Sequence, residues 1–182
     1  MFYPPRGTHG IEKRFLKKVL LNSRDVSKLN TIATGEAFCC DMAVEDLQSQ
    51  NLTGALNWIK HFENKTNNTG IKLPIVLARR NMYWYELKNN EIVDFFTTMN
   101  PGERLFFGRF DTPSFINQRL IGLKRKNDFG DDELNHALLN SMLTMFCIEA
   151  AGFGRGLGAL DINKEDIARC YILNPKLVSN EN

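Results

Sequence analysis

The chain has 182 residues, of which 43% are hydrophobic and 24% are charged, and its net charge is +2. This length suits one domain and this composition suits a globular protein, which excludes a disordered chain and a coiled coil. The longest uncharged apolar stretch, Leu138 to Ile148, is interrupted by polar residues and is shorter than the ~20 residues of a membrane-spanning helix. We therefore expect no membrane partner.

The start of the chain and the cysteine spacing predict a cytoplasmic protein. Met1 is followed by Phe2 to Arg6, which is neither a basic segment nor an apolar one, so we expect no signal peptide. The four cysteines form no CxxC pair and have no histidine at ligand spacing, which argues against a zinc site and a disulfide framework. We expect reduced thiols, with Cys147 in the core.

The first predicted elements are helices. Apolar residues recur at helical spacing from Ile11 to Leu20 among lysines, which predicts an amphipathic helix over residues 11 to 21. A second apolar pattern predicts a helix from about Gly54 to Asn64, where a polar run begins.

The middle of the chain is rich in β-branched and aromatic residues, which predicts an antiparallel sheet with a hairpin turn at Asn89-Asn90. The predicted strand segments are Lys72 to Arg80, Asn81 to Lys88, Glu91 to Thr97, Arg104 to Arg109 and Phe115 to Lys124.

A long closing helix is predicted from Leu134 to Ile148, with Asp131 or Asp132 as its N-cap. Its apolar stripe would consist of Leu138, Met142, Met145 and Ile148.

Four glycines between Gly152 and Gly158 predict a turn after this helix, and we expect a positive φ at Gly154. Asn163 is then expected to cap a short helix that ends near Arg169.

These elements predict an α+β fold in which a central, mostly antiparallel sheet is flanked by N-terminal and C-terminal helices. We expect residues 1–30 to form a basic helical segment and residues 31–182 to form a single compact domain.

Charge is segregated along the chain. Residues 1–30 carry seven Lys/Arg against two Asp/Glu, residues 72–88 four against one, and residues 103–126 six against two. Residues 128–166 carry two bases against eight acids. The basic segments could converge on one polyanion-binding face, or they could be solvated surface charge.

Motifs of catalytic sites are weak in this sequence. His9, His61 and His136 are isolated, and the glycines from Gly152 to Gly158 follow a helix, whereas a nucleotide-binding glycine loop follows a strand. Asp46 with Glu63 to Lys65 fits a nuclease pattern only formally. We expect no catalytic, cofactor-binding or metal-binding residue in the chain.

Basic residues next to aromatic ones are the stronger signal, because Arg and Lys neutralise phosphates and Arg reads guanine in the major groove. The aromatic residues are either sheet core or, at Trp84 and Tyr85, a platform for single strands. Arg155, in the glycine turn, could instead be structural. The residues predicted to form the basic, DNA-binding face are Arg79, Arg80, Arg104, Arg109, Arg119, Lys124 and Arg125.

The order of several segments resembles the C-terminal target-recognition domain of gamma-class adenine-N6 DNA methyltransferases, including those of type IIG restriction-modification enzymes. The segments that carry the resemblance are Phe15 to Asp25, Trp84 to Leu87, Arg104 to Phe107, Phe115 to Arg119, Ala137 to Ser141, Ile148-Glu149, Gly152 to Arg155, Gly158 to Ile162 and Asn174-Pro175.

The resemblance implies a DNA specificity domain that positions a methyltransferase, or a methyltransferase fused to an endonuclease, on its site in a bacterial defence system. The catalytic Asn/Asp-Pro-Pro-Tyr/Phe loop of that family is absent, since Tyr3 to Arg6 lacks both its ends. The chain alone is therefore expected to be no enzyme. S-adenosylmethionine is expected only in the missing catalytic domain, and the expected partners are double-stranded DNA and that domain or subunit. The alternative is a noncatalytic nucleic-acid or protein-interaction module.

Overall fold

A computed structural model describes residues 10–26, 28–87, 92–102, 104–126, 131–154 and 160–177. The predicted turn at Asn89-Asn90 and the predicted structural residue Arg155 lie outside these residues. The chain divides into a first unit, from residues 1–19 and 34–91, and a second unit, from residues 20–33 and 92–182. This division differs from the predicted boundary at residue 30, because the chain enters the second unit, returns to the first and then leaves it again.

The fold is α+β, as predicted. The strands are β1 Leu16–Leu20, β2 Asn30–Thr31, β3 Gly35–Phe38, β4 Val93–Thr98, β5 Gly108–Ile116, β6 Leu120–Leu123, β7 Phe153–Gly154 and β8 Leu160–Asp161. The helices are α1 Val44–Ser49, α2 Thr53–Glu63, α3 Leu73–Val76, α4 Asp132–Leu139, α5 Met142–Ala151 and α6 Lys164–Arg169. Among the described residues, no helix combines the length and the apolar character needed to cross a membrane.

The first unit contains an antiparallel pair of strands, β1 and β3, aligned from Leu16↔Phe38 to Val19↔Gly35. Its core includes Phe38, Leu47 and Trp58, which lie on β3, α1 and α2. Helix α2 confirms the predicted helix and ends at Glu63.

The predicted helix over residues 11–21 is wrong. A 3-10 turn at Lys13–Phe15 leads directly into strand β1. The cause is an ambiguity of spacing: Ile11, Phe15 and Val19 are four residues apart, which fits a helical period and also the two-residue period of a strand. Pairing with β3 settles the choice in favour of the strand.

The predicted strands between Lys72 and Lys88 are also wrong in the described part of that segment. Residues Leu73–Val76 form α3, with Pro74 in its first turn, where the missing N–H of proline costs nothing. In the described residues from the end of α3 to Leu87, the strand-like pairing is an isolated bridge between Arg79 and Met82.

The sheet of the second unit has the order β2-β5-β4-β6, with β2 parallel to β5 and β4 antiparallel to both of its neighbours. Strand β4 packs against a hydrophobic cluster on each of its faces. Phe95 packs with Ile148 of α5 and Ile167 of α6 in one cluster, whereas the adjacent Phe96 packs with Phe110 in another. Strand β4 confirms the predicted strand. The predicted strand from Phe115 to Lys124 is interrupted, because a turn at 117–119 separates β5 from β6.

The predicted long closing helix is two helices. Helix α4 has Asp131 as its N-cap, one of the two predicted candidates. After it ends, the Ser141 hydroxyl accepts a hydrogen bond from the Thr144 N–H at 3.3 Å and begins α5. The break changes the helical phase, so Met142, predicted to be in the apolar stripe, is 88% exposed. Cys147, predicted in the core, is half-buried.

The end of α5 also differs from expectation. Gly152 has a φ of −72° and Gly154 lies in strand β7, outside the left-handed region. The predicted positive φ at Gly154 is therefore wrong. The predicted Asn163 cap is confirmed, because its side chain accepts from the Asp166 N–H at 2.9 Å in a reciprocal capping box.

Candidate nucleic-acid interface

Exposed cations lie at both ends of strand β6 in the second unit. Within the described residues β6 pairs with β4 alone, which makes it an edge strand. Arg119 directly precedes β6, and Lys124, Arg125 and Lys126 directly follow it. The predicted residues Arg119, Lys124 and Arg125 therefore follow one another along one edge of the sheet.

Arg119 lies at the first end of β6, and Arg104 lies in the loop that follows β4. The pairing of Thr98 with Leu120 brings the loop after β4 to the turn before β6, where the Met99 N–H donates to the Arg119 carbonyl at 3.2 Å. Both arginines are exposed. The Arg104 guanidinium lies 5.1 Å from the centroid of the Phe106 ring. A cation–π interaction at this distance orients the guanidinium without neutralising its charge.

Lys124, Arg125 and Lys126 lie at the second end. The Arg125 backbone N–H donates to Asp94 Oδ2 at 2.8 Å, and its guanidinium contacts Asp132 Oδ1 at 2.8 Å. Lys124 and Lys126 are exposed and form no ion pair with any described residue. The Arg125 guanidinium therefore has an acidic partner, whereas the two lysines have none among the described residues.

Arg109 is separated from these cations by its strand position. It is the second residue of β5, where it pairs with Phe95 of β4, and its side chain is only 17% exposed. Its Nη2 lies 3.7 Å from Glu133 Oε1 of α4, too far for a hydrogen bond. Arg109 lines a cleft of about 220 Å³ together with His136 and Asn140.

Arg79 and Arg80 lie in the first unit, and both are exposed. Arg79 lines a small cavity of about 60 Å³ together with Trp58 and Trp84. The seven predicted DNA-binding residues therefore belong to both units. Three of them, Arg119, Lys124 and Arg125, lie at the two ends of β6.

The aromatic cluster after Arg80 is mostly part of the first unit's core. Trp84 and Tyr85 are half-buried against that core, and the Tyr85 hydroxyl donates to the Met42 carbonyl at 2.8 Å. Burial raises the pKa of the Tyr85 hydroxyl well above its usual value. Tyr83 stacks on Tyr85 with the ring centroids 5.3 Å apart and is the more exposed member. This arrangement leaves little open surface for stacking bases.

Two features of the second unit were missed by sequence reasoning. Lys126 is exposed, as Lys124 is. The run of three basic residues from Lys124 to Lys126 was the sequence signal that could have identified it. The side chains of His136 and Asn140 both bind the backbone of Phe107. Only their spacing of four residues on a predicted helix could have suggested that they act together.

Among the described residues, no group of three or more His, Cys, Asp or Glu side chains is arranged to hold a metal ion. Comparisons with protein-family models, with curated proteins and with solved structures find no match to this chain.

Proposed function

We propose that this chain is the DNA sequence-recognition domain of an adenine-N6 DNA methyltransferase or restriction-modification enzyme. The observation that carries the DNA part of the proposal is the presence of exposed cations at both ends of edge strand β6. The order of the sequence segments that resemble target-recognition domains carries the methyltransferase part.

The spacing of the cations at the two ends of β6 supports duplex DNA as the ligand. Lys124 follows Arg119 by five positions, which in extended chain is about 17 Å. The major groove of B-DNA is about 12 Å wide, so cations this far apart are able to reach phosphates on both sides of it. Strand β6 would then lie at the groove between these phosphates, and β-ribbon proteins also place strands in a groove of DNA.

Some of these contacts would provide affinity, and others would select the DNA sequence. Arg119, Lys124 and Lys126, which are exposed, would neutralise phosphates and set orientation. Arg104, which lies over Phe106, has a restrained guanidinium suited to a base edge. Methyl transfer and S-adenosylmethionine binding would belong to a separate catalytic domain, which is the proposed protein partner.

The alternative, a platform for single strands, has less support. Trp84 and Tyr85 are half-buried, and the Tyr85 hydroxyl is used inside the first unit. Bases stack on open aromatic faces. We therefore expect duplex DNA to bind more tightly than a single strand of the same sequence.

Fluorescence anisotropy with a labelled duplex of mixed sequence tests the proposal. The slope of log K against log salt should be steep, and each phosphate-contacting cation removed should reduce it by about 0.9. Arg119→Gln and the double change Lys124→Gln, Lys126→Gln should each weaken binding and flatten this slope. Lys164→Gln, an exposed cation on α6, is the matched control and should change neither.

Two results would overturn the proposal. One is equal loss of binding for Lys164→Gln and for the β6 variants, which would indicate general charge attraction. The other is saturable binding of S-adenosylmethionine by the chain alone in titration calorimetry, which would contradict its role as a recognition part without catalytic machinery.

A further inference from the structure

The second unit has a cleft of about 330 Å³ that the proposed DNA contacts do not explain. Helix α4, strand β6 and the segment after α6 line it. This volume lies at the lower end of the range of small-molecule sites, and such sites are mostly apolar with a few convergent polar groups.

The interior of the cleft is apolar. Phe95, Leu138 and Leu139 contribute to its lining and are all more than nine-tenths buried. Leu173, on the segment after α6, is 46% exposed and also lines the cleft. The Cys170 thiol adds a neutral group, because burial, with the nearby Cys147 and Asp166, raises its pKa. A ligand inside would therefore place an apolar body there.

The lining also includes cations. Lys124, Arg125 and Lys126 all line the cleft. Asp132 holds the Arg125 guanidinium at 2.8 Å, so its charge is already compensated. Lys124 and Lys126 form no ion pair within the described part of the chain, so their charge is available to an acidic group.

We propose that this cleft binds a small anionic amphiphile, a molecule with an aromatic or branched apolar body and a single acidic group. The apolar body would occupy the floor formed by Phe95, Leu138 and Leu139, and the acidic group would lie between Lys124 and Lys126. A neutral apolar molecule would leave the two ammonium groups unpaired. A phosphate of DNA would leave the apolar interior unfilled.

The inference does not rest on the proposed function, but the two share Lys124 and Lys126. A bound anion would occupy the same ammonium groups that the DNA phosphates would use. Binding of the amphiphile should therefore weaken binding of duplex DNA, if the chain binds DNA.

Two fluorescent probes test the site without DNA. Anilinonaphthalene sulfonate has an aromatic body and one sulfonate, and phenylnaphthylamine has the same ring system without the acid. We expect the full chain to bind one equivalent of the sulfonate saturably, and more tightly than the neutral probe. Changing Lys124 and Lys126 to Gln should weaken sulfonate binding by about three- to five-fold for each lysine and leave the neutral probe unaffected.

A matched pair of substitutions locates the site. Leu173→Glu places a carboxylate in the cleft, and we expect it to weaken sulfonate binding by about ten-fold or more. Tyr171→Glu adds the same charge two residues away, at a side chain that is 83% exposed and does not line the cleft, and it should have little effect.

Three outcomes would overturn the proposal: equal affinity for the two probes, equal loss of binding for Leu173→Glu and Tyr171→Glu, or several equivalents bound without saturation. The last outcome would indicate that the probe binds nonspecifically to the exposed apolar residues of α5, such as Met142 and Phe146. None of these measurements involves DNA, so failure of this inference is distinguishable from failure of the proposed function.

Discussion

The side chain of Asn140 binds both polar backbone atoms of Phe107. Its Oδ1 accepts from the Phe107 N–H at 3.0 Å, and its Nδ2 donates to the Phe107 carbonyl at 3.0 Å. His136 Nε2 also lies 2.8 Å from that carbonyl, so it must carry a hydrogen and donate. The segment before β5 is thereby fixed to the end of α4 although it is not in a strand there.

Asn140→Asp should destabilise the protein by about 1 to 3 kcal/mol. A carboxylate accepts from the Phe107 N–H but has no hydrogen to donate to the carbonyl, so the carbonyl keeps its hydrogen bond from His136 but faces a negative charge. Chemical denaturation measures the change. Gln118→Glu, an amide-to-acid change at an exposed turn, is the control and should stay within about 0.5 kcal/mol of the parent. Equal effects of the two changes would contradict the role given to Asn140.

The break between α4 and α5 predicts opposite effects at two positions of the expected apolar stripe. Ile148 is fully buried, so Ile148→Ala should cost about 2 to 5 kcal/mol. Met142 is 88% exposed, so Met142→Ala should cost less than about 0.5 kcal/mol. Thermal melts of the two variants compare them directly. Similar large losses at both positions would instead support one continuous helix.

The two glycines after α5 should tolerate side chains differently. A Cβ on Gly152 would lie 2.7 Å from Leu160 Cδ1 and 3.1 Å from the Asp161 carbonyl oxygen, whereas a Cβ on Gly154 would meet nothing within 4 Å. Gly152→Val should lower the melting temperature, because the hairpin of β7 and β8 must shift. Gly154→Val should leave it nearly unchanged. If Gly154→Val lowered the melting temperature more than Gly152→Val did, the result would support the positive φ first expected at Gly154.

Glu12 caps helix α2. Its two carboxylate oxygens accept from the Gly54 N–H at 3.0 Å and the Ala55 N–H at 2.9 Å. Glu12→Gln should cost about 1 kcal/mol at neutral pH, since an amide retains one acceptor oxygen and no charge. Chemical denaturation compares this variant with Glu63→Gln, at the exposed other end of α2, which should show no loss.

The cost of Glu12→Gln should also depend on pH. Burial raises the pKa of the Glu12 carboxyl, but backbone hydrogen bonds and the charge of Arg14 outweigh it, so the pKa lies below its usual 4.5. A lowered folded-state pKa stabilises the protein above the unfolded pKa and loses this effect as pH falls through the folded value. The difference between parent and variant should therefore shrink below about pH 4.5. A difference independent of pH down to strong acid would rule out the charged cap.

Elements with strong local signals were predictable from sequence. Strand β4, helix α2 and the Asn163 cap each follow from neighbouring residues, and the structure has all three. The segment after Ile11 was not predictable, because a spacing of four suits two periods and only the pairing with β3 decides between them. The break at Asn140 was not predictable either, because Asn140 binds Phe107, which is distant in sequence.

The candidate site was likewise predictable only where the signal comes from neighbouring residues in sequence. Lys124 and Arg125 are adjacent in sequence, and the structure exposes both at one end of β6. Arg109 seemed equivalent to them in sequence, but its place depends on the pairing of β5 with β4, which sets it opposite Phe95 and near α4. A basic sequence segment therefore predicts that a surface is positively charged. It does not predict which of its basic residues lie on the same surface.

Strand β4 is hydrogen-bonded along both edges and has a phenylalanine core on each face. Water reaches its amides only when a neighbouring strand detaches and a core opens with it. Such an opening requires most of the second unit to unfold. The amide protons of β4 should consequently be among the last in the second unit to exchange with deuterium, at a rate set by global unfolding, whereas those of edge strand β6 exchange through smaller local openings.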